Sequence, residues 1–107
     1  MKRNASVIGM KPEHRAEYER LHAAVWPEVL KQIYASNIRN YSIYRYGEVL
    51  FSYFEYVGDD FQKDMAKMAE DPTTQLWWDL CKPLQTPVVD KKTDEWWSDI
   101  PEIFHVN

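Results

Sequence analysis

"YSIYRYGEVLFSYFEYV", Tyr41 to Val57, is the stretch that decides the fold. β-branched and aromatic residues fill both of its halves, and the one break lies near Tyr46 and Gly47, so it reads as a β-hairpin. Apolar or aromatic side chains point to both sides of these strands, which leaves two sheet faces to cover. Helices can cover one. The other is too apolar to face water, and the expected remedy is pairing with a second copy of the chain, sheet against sheet.

Upstream, "SNIRN" supplies turn formers. Before it, Tyr18, Leu21, His22, Val25, Trp26, Val29, Leu30, Ile33 and Tyr34 follow the spacing of one buried helical face. This predicts a helical segment from about Pro12 to Ala35, with Pro27 as a kink or a break. Arg3 to Met10 is a short β-branched alternation ending at "GMKP", and reads as the first strand. Downstream, "GDDFQKDMAKMAED" predicts a helix capped by Asp59 or Asp60, with Phe61, Met65 and Met68 on one side. Asp71 then Pro72 restarts the signal, and "TTQLWWDLC" carries a helix to Cys81. "KPLQTPVV" reads as a proline-punctuated loop, "TDEWWSDI" as a short segment, and "PEIFHV" as the last strand, formed by Ile103, Phe104 and Val106 behind Pro101.

The order β, α, β, β, α, β is the α+β, ferredoxin-like arrangement: a four-stranded antiparallel sheet with helices on one face. The 107 residues form one domain, residues 1–107, large enough for an ordinary core.

Composition narrows the function. Net charge is −4 and Lys and Arg are scattered, so there is no footprint for nucleic acid. No apolar run approaches the ~20 residues of a membrane span, and the N-terminus lacks the apolar core of a signal peptide, so the expectation is a soluble, cytoplasmic protein without a membrane partner. The single cysteine, Cys81, excludes an internal disulfide and reads as a small buried hydrophobe. Three isolated glycines offer no phosphate-binding loop. No metal site is expected, because His14 and His22 are eight residues apart and His105 lies at the far end. No serine sits in a nucleophile context.

What remains is aromatic: five Trp, seven Tyr and four Phe. His22 lies within the apolar helical stripe, one turn from Tyr18 and from Trp26, where a histidine is either a satisfied core residue or a proton-transferring group near neutral pH. Trp26 is read as core. Trp77 and Trp78 differ by about 100° on a helix and cannot both face one core, so at least one lines a pocket or an interface. Flat indoles suit the apolar faces of pyranose rings, whose hydroxyls then need edge partners such as Tyr18, Tyr41 or a carboxamide. Trp96 and Trp97, in "EWW", are assigned to a dimer contact.

Taken together, "EYERLHAAVWPEV", "IRNYSIY", "QLWWDL" and "EIFHV" resemble the L-rhamnose mutarotase family over nearly the whole chain. The resemblance implies a small homodimer of dimeric α+β barrel type that interconverts α and β anomers of a monosaccharide without a cofactor. It implies His22 as proton donor and Tyr18, Tyr41, Trp77 and Trp78 as substrate-binding positions. The chain departs from the family pattern at Asn37, where a glycine is usual. It also departs in "KPLQTPVVDKKTDEWWSDIPEI", longer than the family's stretch and carrying its own tryptophan pair; that leaves L-fucose or another 6-deoxy sugar as open as L-rhamnose. On the residues alone, two other readings stay open. One is a haem-binding or cofactor-independent monooxygenase of the same shape, and the other a sugar-binding dimer without catalysis.

Overall fold

The computed structural model describes residues 1–107. Its elements are β1 (Lys2–Met10), a 3-10 turn (Pro12–His14), α1 (Arg15–His22), α2 (Pro27–Ala35), β2 (Ile38–Tyr46), β3 (Val49–Tyr56), α3 (Phe61–Glu70), α4 (Pro72–Cys81), a second 3-10 turn (Lys82–Leu84), β4 (Gln85–Thr86) and β5 (Ser98–Ile100). The architecture is α+β, a curled antiparallel sheet with four helices.

β1 runs antiparallel to β3, from Lys2 opposite Tyr56 to Gly9 opposite Val49. The hairpin partner β2 lies on the far edge of β3, from Ile38 opposite Tyr56 to Tyr46 opposite Val49. Gly47 takes a φ of 59° at the hairpin turn, the left-handed conformation that a glycine adopts without a Cβ clash. The free edge of β1 is shared by two short pieces. Gln85 and Thr86 pair with Met10 and Gly9, and Ser98 to Ile100 pair with Val7 to Ala5. The sheet therefore has five strands instead of four, its fourth position split in two.

The last strand differs from expectation. It is formed by Ser98–Ile100, and residues 101–107 pair with no strand. Pro101 has no N–H to give to a ladder, so pairing stops there, while Trp97 packs on the core and draws Ser98–Ile100 onto β1. Ile103 and Phe104 are left 95% and 80% exposed. The segment read as a loop, "KPLQTPVV", holds the second 3-10 turn and β4.

The first helical segment is two helices. Trp26 is extended at ψ 134°, the backbone that a residue before proline prefers, and Pro27 opens α2 at its first turn. At the other helix starts, Asp60 accepts from the Lys63 amide and Asp71 from the Thr74 amide and hydroxyl. Asn37 sits at φ 65°, a left-handed conformation that asparagine tolerates better than most residues.

The core forms where the inner sheet face meets α1, α2 and α4: Ile8, Met10 and Leu50 pack with Tyr18, Val29, Trp77, Cys81 and Leu84. Side chains such as Ile8 and Leu50, taken fully out of water, each stabilise the fold by roughly 1.5–3 kcal/mol. The outer face is different in kind. Phe51 lies opposite both Tyr44 and Val7, Tyr46 opposite Val49, and Tyr44 and Tyr46 are 64% and 80% exposed. No helix is long and apolar enough to cross a membrane.

Candidate active site

The α1 helix sets the geometry. Tyr18 and His22 are four residues apart, so their rings lie one above the other, stacked with centroids 4.1 Å apart and planes 20° from parallel. His22 Nδ1 lies 2.9 Å from the Tyr18 carbonyl oxygen. A carbonyl only accepts, so Nδ1 carries the hydrogen. In the neutral ring Nε2 is then the nitrogen with the lone pair, and it has no protein hydrogen bond.

From α4, Trp77 meets the His22 ring edge-on at 5.3 Å and Trp26 at the same distance from another side. Trp77 is thus buried and wall-forming at once. Trp78 lies one residue on, with the Lys82 ammonium 5.6 Å from its ring centroid. Tyr41 enters from β2 beside the bulge between Arg39 and Ser42, its ring 5.6 Å from Phe54.

These side chains enclose a cavity of about 560 Å³, within the range of small-molecule sites. Tyr18, His22, Tyr41, Trp77 and Trp78 all line it. Trp26 does not, and packs against the core as expected. Trp96 and Trp97, expected at a dimer contact, line the cavity of their own chain as well. No aspartate or glutamate lines the cavity.

The missing carboxylates and the burial decide the protonation states. Burial lowers the His22 pKa below 6.5, against an opposing contribution from the hydrogen bond to the Tyr18 carbonyl. Burial raises the Tyr18 phenol well above its ordinary value, and desolvation at the cavity wall raises that of Tyr41, although 43% of that residue stays exposed. Both stay protonated near neutrality and can donate hydrogen bonds. The Cys81 thiol, buried in the same wall, is pushed up to about 11, which keeps it an inert apolar filler.

Gln85 is the residue that motif reasoning missed. It is 6% exposed, donates from Nε2 to the Tyr18 hydroxyl at 3.2 Å, and accepts at Oε1 from the Trp96 indole N–H at 2.8 Å. The one available signal was chemical: a carboxamide was one of the edge partners expected for sugar hydroxyls, and Gln85 lies in a proline-flanked run that reads as plain loop.

The fold and the cavity define an α+β domain with a curled antiparallel sheet, whose aromatic-walled, carboxylate-free pocket holds a single histidine and has room for a ligand of monosaccharide size. The L-rhamnose mutarotase family model matches residues 3–106. L-rhamnose mutarotases of Phocaeicola vulgatus and Bacillus subtilis are each 32% identical to the chain, with the whole of both chains covered. The crystal structure of an L-rhamnose mutarotase from Formosa agariphila superposes with a TM-score of 0.77 at 19% identity over both full chains. A polyketide cyclase from Streptomyces glaucescens superposes with a TM-score of 0.70 at 13% identity, a likeness of fold alone. The chain belongs to the L-rhamnose mutarotase family, a family of sugar isomerases.

Proposed function

We propose that the protein interconverts the α and β anomers of L-rhamnose, with His22 moving the proton. Anomer exchange opens the pyranose to the aldehyde, rotates the carbonyl and recloses the ring on the other face. Opening needs a proton delivered to the ring oxygen and one removed from the anomeric hydroxyl. The observation that carries the proposal is the fixed tautomer: Nδ1 is committed to the Tyr18 carbonyl, so Nε2 is the nitrogen free to serve a ligand in the cavity that His22 lines. As imidazolium, His22 gives the Nε2 proton to the ring oxygen and takes it back as the other anomer closes. With no carboxylate in the wall, the anomeric proton leaves to water. Tyr18 and Tyr41 donate to sugar hydroxyls, and Trp77 and Trp78 cover the apolar face of the ring.

The homodimer belongs to the same proposal. Tyr44, Phe51 and Tyr46 form an exposed apolar stripe across the outer sheet face, and the apolar tail around Ile103 and Phe104 lies at the end of the chain that follows β5. A second copy laid sheet to sheet would cover both.

Saturation-transfer NMR between anomer signals tests the function. Protein-accelerated exchange with L-rhamnose, lost in His22→Ala, is the expected result. A panel with L-fucose and other 6-deoxy sugars identifies the preferred substrate. Binding without faster exchange would refute the mutarotase reading.

A further inference from the structure

We propose that Gln85, oriented by Trp96, is a positioning residue that fixes Tyr18 as a hydrogen-bond donor to the substrate. The inference rests on the mutarotase reading of this cavity and adds to it a residue pair outside the helix and tandem-tryptophan motifs.

Polarity decides the orientation of both groups. An indole N–H only donates, so the end of the Gln85 amide that meets Trp96 at 2.8 Å is its oxygen. The other end is then the NH₂ group, which only donates, and it meets the Tyr18 hydroxyl oxygen at 3.2 Å. The phenol oxygen is therefore the acceptor in that bond, and its own hydrogen is left for a partner in the cavity. Trp96 thus sets which way the amide faces, and the amide sets which way the phenol gives its hydrogen. The backbone holds Gln85 in place, since it pairs with Met10, follows the 3-10 turn Lys82–Leu84, and leads into Thr86 and Pro87. Trp96 arrives from the segment before β5, which its neighbour Trp97 ties to the core. Tyr18 is also the ring on which His22 stacks, so one buried amide reaches the neighbour of the proposed proton donor.

The distinguishing experiment reverses the polarity without removing bulk. In Gln85→Glu the carboxylate accepts from both the indole and the phenol, turning the Tyr18 hydrogen away from the sugar. Anomer exchange near neutral pH should fall roughly tenfold, the loss of one hydrogen bond to substrate. On acidification the carboxyl takes a proton and can donate to Tyr18 again, so the ratio of variant to wild-type rate should recover. Tyr18→Phe should lose a similar factor, and the double variant Q85E/Y18F no more than either single one. Multiplied losses in the double variant, or a ratio flat with pH, would overturn the proposal. Trp96→Phe, which deletes the indole N–H together with part of the ring at a more exposed position, makes the same comparison in the wild-type and Y18F backgrounds if Q85E fails to fold. L-rhamnose affinity by calorimetry reports the same coupling in a protein that binds without catalysing. Absence of exchange by the wild type and additive losses in the variants are therefore separate results.

Discussion

His22→Ala removes a proton-transferring group and an aromatic contact together, and the two losses can be measured apart. General acid help is worth about 100- to 10,000-fold, so the protein-dependent exchange rate should fall by that factor. L-rhamnose binding should largely survive, because Tyr18, Tyr41, Trp77 and Trp78 remain in the wall. The ring's stack on Tyr18 and its edge contact with Trp77 are worth about 0.5–1.5 kcal/mol each, so unfolding stability should drop by about 1–3 kcal/mol. Two pH dependences belong to the same residue. The folded pKa lies below the unfolded value near 6.5, so the folded state binds fewer protons in the window between them. Stability therefore declines as pH falls through about 6.5 and levels off below the lowered folded pKa, and the alanine variant should lack that component. As proton donor, His22 works through its imidazolium, which is depleted as pH rises above the same lowered pKa. The protein-dependent rate, after subtraction of solvent exchange, should fall from pH 5 to 8. A rate that climbs through that range would refute the donor role and make Nε2 the base that takes the anomeric proton. Equal acceleration by wild type and variant would refute any role for His22.

Other consequences follow from particular contacts. A Cβ on Gly9 would lie 2.6 Å from the Thr86 carbonyl oxygen, so Gly9→Ala should push β4 off β1 at a cost of about 1–3 kcal/mol, and it should also slow anomer exchange by displacing Gln85; both appear in a melt and an exchange assay. Asp71→Ala removes the acceptor for the Thr74 amide and hydroxyl and should cost about 1 kcal/mol by denaturant titration with the exchange rate nearly unchanged. Phe51→Glu places a charge on the outer face, and light scattering should show the proposed dimer replaced by monomer; an unaltered dimer would move the interface elsewhere.

Much of this fold could be read in the residues because its boundaries are local. Asp60, Asp71 and Pro72 announce helix starts through groups within three residues of each other, and the Gly47 turn lies between two plainly β-rich runs. The fourth strand position could not be read that way. Ile103, Phe104 and Val106 alternate as well as any strand, but pairing is settled by what reaches the free edge of β1, and Trp97 anchors the chain so that Ser98–Ile100 arrive there first. The break before Pro27 was visible as a proline; that it makes two helices depends on Trp26 turning extended to pack on Trp77.

The site divides along the same line. Spacing put Tyr18 and His22 on one helix face and turned at least one of Trp77 and Trp78 toward a pocket or an interface, and the resemblance to the mutarotase family is what implied all four as one site. Gln85 and Trp96 are eleven residues apart with no periodic element between them, and their bond exists only because β4 and β5 are both hung on β1. A buried carboxamide needs partners at both ends, and the segment before β5 brings the Trp96 indole N–H to the Gln85 oxygen. The tryptophan pair at 96 and 97 lines the cavity together with Tyr18. Selection among 6-deoxy sugars is therefore expected to follow this segment more than the α1 motif. Exchanging residues 87–97 for a relative's corresponding stretch should change the ranking of L-rhamnose against L-fucose while leaving the pH profile set by His22 in place. A shifted pH profile with an unchanged ranking would refute that division of labour.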